Sequence, residues 1–79
     1  MTIDIKVKEI ISRTIKIPPN QLSAQSGLGR VDGWDSLSHT ILVLELEKEF
    51  DIAFDFDELD KIITVEAIVD SLLTKGVTP

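Results

Sequence analysis

Asp35 and Ser36 stand side by side in this chain, with its single histidine, His39, three residues further on. A serine with a histidine nearby first suggests nucleophilic catalysis. That chemistry needs a base aimed at the hydroxyl, an acid to orient the base and a site for the developing oxyanion. Here His39 falls on the same general side of a helix as Ser36 but leans toward its apolar stripe, where packing at the core edge is its expected role. A complete constellation of this kind is missing. No cysteine is present to replace the serine as a nucleophile, and no cluster has the spacing of metal ligands. The acids after Phe50 invite a calcium-loop reading that fails on spacing. Counted from Asp51, the third position is Ala53, the glycine position is Phe56 and the closing glutamate position is Ile62. The chain is not expected to be an enzyme or to bind a metal. The remaining role for Asp35 is an N-cap, its carboxylate accepting the unpaired N–H of Leu37 or Ser38, which places Ser36 on the first turn of a helix.

The helix that positions this serine is expected over about 36–50, a run without Gly or Pro. At about 100° per residue, Leu42, Val43, Leu46 and Phe50 share one side with His39, while Leu37, Ile41 and Leu44 fall nearly opposite. A helix that only covered a core would need one apolar stripe. The second stripe, flanked by Glu45, Glu47, Lys48 and Glu49, implies a partner, because these charges resist desolvation.

Around it the chain reads as further helices. Ile3, Val7, Ile10, Ile11 and Ile15 follow a helical period, giving a first helix over about 3–17, closed by Pro18-Pro19. Residues 18–34 form a long connection with Leu22, Leu28 and Val31 as its anchors and Gly27 and Gly29 as turn residues; Trp34 is expected to pack where this loop meets the helix. A short third helix is expected over about 57–62, with Ile52, Phe54, Leu59 and Ile62 as core contacts and Phe56 undecided. Thr64 then caps a fourth helix over about 65–75, where Val65, Ile68, Val69, Leu72 and Leu73 recur before Gly76. The fold class is all-α: a small four-helix bundle of three main helices and a short one, in a single domain spanning 1–79.

Seventy-nine residues allow only a small core. No apolar run reaches membrane-spanning length and the start of the chain has no signal-like region, so a cytoplasmic monomer is the expectation. The net charge of −6 is unevenly placed: from Asp32 onward twelve acids face only Lys48, Lys61 and Lys75. Such a surface repels nucleic acid and favours protein partners with basic patches, drawn in by steering. Part of the excess also serves solubility.

These segments carry a family likeness. Asp35-Ser36-Leu37 opening a helix that ends in Glu47-Lys48-Glu49-Phe50-Asp51-Ile52, followed by Leu59-Asp60-Lys61-Ile62 and Thr64-Val65, resembles the acyl carrier proteins over nearly the whole chain. The resemblance implies a right-handed bundle whose motif serine, here Ser36, bears a covalent 4′-phosphopantetheine arm derived from coenzyme A. Acyl groups would ride on it as thioesters between biosynthetic enzymes of fatty acid, polyketide or related specialised pathways. A phosphodiester on Ser36 would lie at a helix N-terminus, where free N–H groups and the positive end of the dipole favour an anion. Asp35 and Leu37, flanking the serine, would be read by the phosphopantetheinyl transferase. Leu37, Thr40, Ile41, Leu44, Glu47, Lys48, Asp55, Asp57 and Glu58 would meet the loading, transfer and condensing enzymes. Arg30 and Gly33-Trp34 depart from the acidic and apolar residues usual before the motif, and Lys48 stands where the family often has an acid. An aminoacyl or peptidyl carrier is an alternative within the same class. An unmodified acidic adaptor is the alternative from another class, and only a carrier requires the hydroxyl of Ser36.

Overall fold

Five apolar side chains spaced at three and four residues along the first helix supply the centre of the core. In the computed structural model, which describes residues 2–78 and leaves Met1 and Pro79 of the expected domain outside the described residues, this helix is α1, Thr2–Ile15. Ile3, Val7, Ile10, Ile11 and Ile15 are all buried. The helix was expected to reach Ile17 but stops two residues earlier. Lys16 turns into the left-handed region at φ 66°, its N–H still bonded to the Ser12 carbonyl at 2.8 Å. The Ser12 hydroxyl donates to the Ile17 carbonyl beyond the turn. Pro18 is the cause, since the residue before a proline is driven out of the helical region.

Helix α2 spans Ser36–Phe50 and ends where Asp51 adopts a left-handed conformation, donating its N–H to the Glu47 carbonyl. Helix α3 spans Val65–Thr74; Lys75, expected inside it, is the cap residue, and Gly76 follows at positive φ. Thr64 caps its start by accepting the Ala67 N–H at 3.1 Å. The short helix expected over 57–62 is a single 3-10 turn, Phe56–Glu58. Asp55 and Glu58 close that turn upon itself as a capping box. The β-branched run Ile62-Ile63-Thr64 behind it favours extended backbone over helix. A second 3-10 turn occupies Pro19–Gln21. The architecture among the described residues is thus all-α, with three α-helices and two short turns.

Helix α1 packs against both α2 and α3. Leu42, Val43 and Leu46 from α2, and Val65, Ile68 and Leu72 from α3, face it, while Leu22, Trp34, Phe54 and Ile62 from the connections complete the core. The long connection over 18–34 is fastened to the start of α3 by an isolated antiparallel bridge between Gly27 and Thr64. Leu28 N–H donates to the Ile63 carbonyl at 2.8 Å, and Val65 N–H to the Ser26 carbonyl at 3.0 Å. Only glycine fits at the crossing, because a Cβ on Gly27 would lie 2.3 Å from the Ile63 carbonyl oxygen.

Candidate functional site

The loop delivers the chain to Ser36 through a tight turn. Trp34 N–H donates to the Val31 carbonyl and the Trp34 carbonyl accepts from Gly29 N–H, both at 3.0 Å. Gly33 provides the positive φ of 87° that this turn requires. Trp34 is then sunk into the core, only 1% exposed, as a packing residue at the junction. Burying an indole N–H demands an acceptor. It finds one in His39, whose Nδ1 lies 3.0 Å from Trp34 Nε1, with the two rings stacked at a centroid distance of 6.1 Å. Residues on either side of Ser36 therefore hold each other, and the path of the chain through the serine is fixed at both ends.

Asp35 begins the helix as an N-cap in extended conformation, its carboxylate accepting the Ser38 N–H at 2.9 Å and its carbonyl the His39 N–H at 2.8 Å. The Ser38 N–H holds the carboxyl below its ordinary range, so Asp35 stays ionised. Ser36 follows on the first turn with its residue exposed, and Thr40 donates its hydroxyl to the Ser36 carbonyl at 3.0 Å. His39 cannot serve this serine as a base. Its Nδ1 is taken by Trp34, burial lowers its pKa, and the residue as a whole is only 8% exposed. The structure offers a presented hydroxyl on a rigid helix start, suited to being modified rather than to attacking.

The second apolar stripe lies on the surface: Leu37 is 72%, Ile41 46% and Leu44 60% exposed. Thr40 and Lys48 are exposed on the same helix, and Asp55 and Asp57 on the segment after it. Two of the acids anticipated for partners are committed within the fold. Glu47 Oε2 accepts the Phe54 N–H at 2.8 Å, pinning the segment after α2 back onto the helix. Glu58 accepts Lys75 Nζ and the Asp55 N–H, both at 2.7 Å, and the Ser71 hydroxyl at 3.0 Å. The Lys75 ammonium is the chief cause that draws its carboxyl down to about 2. Phe56, left open by the pattern, is 87% exposed between Asp55 and Asp57.

A cleft of about 290 Å³ runs beside the middle turns of α2, with Val43, Leu44, Phe54 and Leu59 as its apolar walls and His39, Thr40 and Glu47 as its polar lining. Sequence periodicity gave no sign of it, since Phe54 and Leu59 read only as core contacts. Their position over α2 depends on the bond from Phe54 N–H to Glu47, which no residue pattern announces.

A family model described as the phosphopantetheine attachment site matches residues 6–72. The chain is also similar to an acyl carrier protein of Bdellovibrio bacteriovorus, 33% identical over 76 residues, which cover 96% of this chain and 97% of that one.

Proposed function

The chain belongs to the acyl carrier protein family, and from that premise we propose that Ser36 bears its 4′-phosphopantetheine and that the protein presents acyl groups to biosynthetic enzymes. The membership makes it a carrier rather than an enzyme. When bound, the arm supplies a terminal thiol that holds acyl groups as thioesters. What supports Ser36 as the point of attachment is its setting: an exposed hydroxyl on the first turn of α2, with the backbone on both sides locked by Asp35 and by the bond from Trp34 to His39.

The residues present fit the group. A phosphodiester on the Ser36 oxygen would enjoy the positive end of the α2 dipole. The exposure of Asp35, Ser36 and Leu37 leaves space for a transferase to read all three. Leu37, Ile41 and Leu44 present an apolar stripe beside that link, and the surrounding acids steer it toward basic patches on partner enzymes. The cleft beside α2 is the shelter this fold provides for a short acyl chain.

Intact-mass measurement after incubation with coenzyme A and a permissive phosphopantetheinyl transferase tests the assignment. One phosphopantetheine should add to the wild type and none to Ser36→Ala. Addition to the variant would place the site elsewhere, and a wild type inert to several transferases would leave an acidic adaptor as the better reading.

A further inference from the structure

Building on that carrier reading, we infer that Phe56 is the anchor by which the phosphopantetheinyl transferase docks, its ring entering an apolar pocket of the enzyme whose rim is basic. Phe56 is 87% exposed, more than any other large apolar side chain among the described residues. Its backbone, by contrast, is held firmly. Phe56 opens the 3-10 turn Phe56–Glu58, which the capping box of Asp55 and Glu58 closes. Glu58 ties that turn to α3 through the Ser71 hydroxyl and Lys75 Nζ, and two residues before the ring the Phe54 N–H is bonded to Glu47 of α2. With Phe54 buried on one side and Glu58 clamped on the other, the chain has no slack to fold the Phe56 ring into the core. A ring held out by a preformed turn enters a pocket without the ordering cost that a flexible loop would bear. Rigid aromatic side chains of this kind carry a large share of the binding energy at protein interfaces.

The surroundings of the ring define its receptor. Asp51, Asp55, Asp57 and Asp60 are exposed in the same stretch, and Lys61 at its end is the one exposed base. Such a collar repels nucleic acid and anionic lipid, so neither covers the ring. It complements an apolar pocket with Lys or Arg at its mouth, where the acids steer the approach and the ring supplies the hold. Leu59, three residues after the ring, lines the cleft beside α2 together with Leu44 of the exposed stripe. This sets the segment beside that stripe, and Leu44 lies about 12 Å along the helix axis from Ser36. One interface of ordinary size spans serine, stripe and ring. The transferase is the partner that needs such an anchor most. Later enzymes can grip the arm and its cargo, whereas the transferase meets the chain before either is present and has only protein surface to recognise.

The probe is the transferase of the organism that encodes this chain; where there are several, it is the one with the highest kcat/KM on the wild type. Initial rates of arm transfer from coenzyme A are read by intact mass for wild type, Phe56→Ala, Phe56→Leu and Phe56→Asp. Phe56→Ala should raise KM about thirtyfold with kcat retained, the loss of an aromatic hot spot felt in binding alone. Phe56→Leu should recover most of that loss. Phe56→Asp separates anchor from field: if the segment acted by charge only, an added acid would lower KM, whereas the anchor requires KM to rise at least as far as in Phe56→Ala. Asp57→Asn should lessen the dependence of the rate on salt, which Phe56→Ala keeps. The three Phe56 variants should melt with the wild type, as substitutions at so exposed a position do, and a fall in melting temperature would assign the ring to the fold instead. An unchanged KM in Phe56→Ala overturns the inference, whether the ring then proves idle or serves a condensing enzyme at a later step, and so does an improved KM in Phe56→Asp. The carrier reading survives these results as long as the wild type gains its arm at Ser36. A wild type that no transferase modifies overturns both.

Discussion

Truncating Leu46 to alanine removes a side chain with no solvent exposure from the face of α2 that meets the core. Losing a buried leucine costs about 2–5 kcal/mol, transfer and cavity terms together. A domain of this length commands about 4–12 kcal/mol in all, so Leu46→Ala should forfeit between about a sixth of its stability and the whole of it. Ile41 sits five residues earlier on the opposite stripe and is 46% exposed. Only about half of its transfer free energy is engaged, and replacing a β-branched residue by alanine returns a few tenths of a kcal/mol of helix propensity. Ile41→Ala should then cost under about 1 kcal/mol. With a urea slope near 1 kcal/mol/M for so small a protein, the unfolding midpoint should fall by about 2–5 M for Leu46→Ala and by less than about 1 M for Ile41→Ala. Helical circular dichroism read side by side on the two variants decides the matter. The damage from Ile41→Ala and Leu44→Ala should appear instead as slower transfer to and from partner enzymes. Equal losses of stability at Leu46 and Ile41 would refute the division of α2 into a core face and a docking face.

The Glu58 clamp gives a pH prediction. Its carboxyl is held at about 2, against an ordinary value of 4.5. The stability it contributes is therefore present above about pH 4.5 and lost as pH falls toward 2, so the gap in melting temperature between wild type and Glu58→Gln should close over that interval. A gap unchanged down to pH 2 would mean that the bond to Lys75 contributes nothing. His39 works in the same direction from another cause: burial lowers its pKa, so protonation below pH 6.5 favours the unfolded chain. The indole resonance of Trp34 should lose its bonded signature only as acid unfolding begins, and its loss in a still-folded protein would contradict the buried lock. Gly27→Ala should cost about 1–3 kcal/mol, since its Cβ would press on the Ile63 carbonyl; a neutral result would show the bridge to Thr64 to be slack. Association with partner enzymes should slow as ionic strength rises, because exposed acids act through a screened field. Stopped-flow rates indifferent to salt would assign those acids to solubility alone.

The serine and its helix were legible because their determinants are local. An N-cap acid, an uninterrupted run and two stripes at helical spacing place Ser36, the core face and the exposed face without reference to the rest of the chain. The isoleucines of α1 and the cap and stripe of α3 were readable for the same reason. The end of α1 was misplaced by two residues because the restriction that Pro18 imposes on Ile17 moves the turn back to Lys16. The expected third helix had too few residues to outweigh the capping box at Asp55 and Glu58, which completes a single turn and releases the chain into an extended run.

What escaped the sequence depends on contacts between distant segments. Counting acids along 45–60 treats Glu47 and Glu58 as equals of Asp55 and Asp57, yet the first pair is bonded to backbone and lysine while the second is exposed. Glu58 is offset by the Lys75 ammonium, while Glu47 keeps its charge but not its freedom to move, so the two differ from Asp55 and Asp57 in ways that a count of acids misses. The bond from Trp34 to His39 has a five-residue spacing that belongs to neither helix nor strand. It exists because the loop is first stitched to α3 at Gly27 and then turned at Gly33, so that the indole arrives beneath the helix start. Packing of the tryptophan could be anticipated from its type. Its hydrogen bond could not, and that bond settles which histidine nitrogen carries the proton. The same contact fixes the approach to Ser36 from both sides, so the rigidity of the serine's presentation rests on a bond between the loop and the helix that no residue pattern in either one announces.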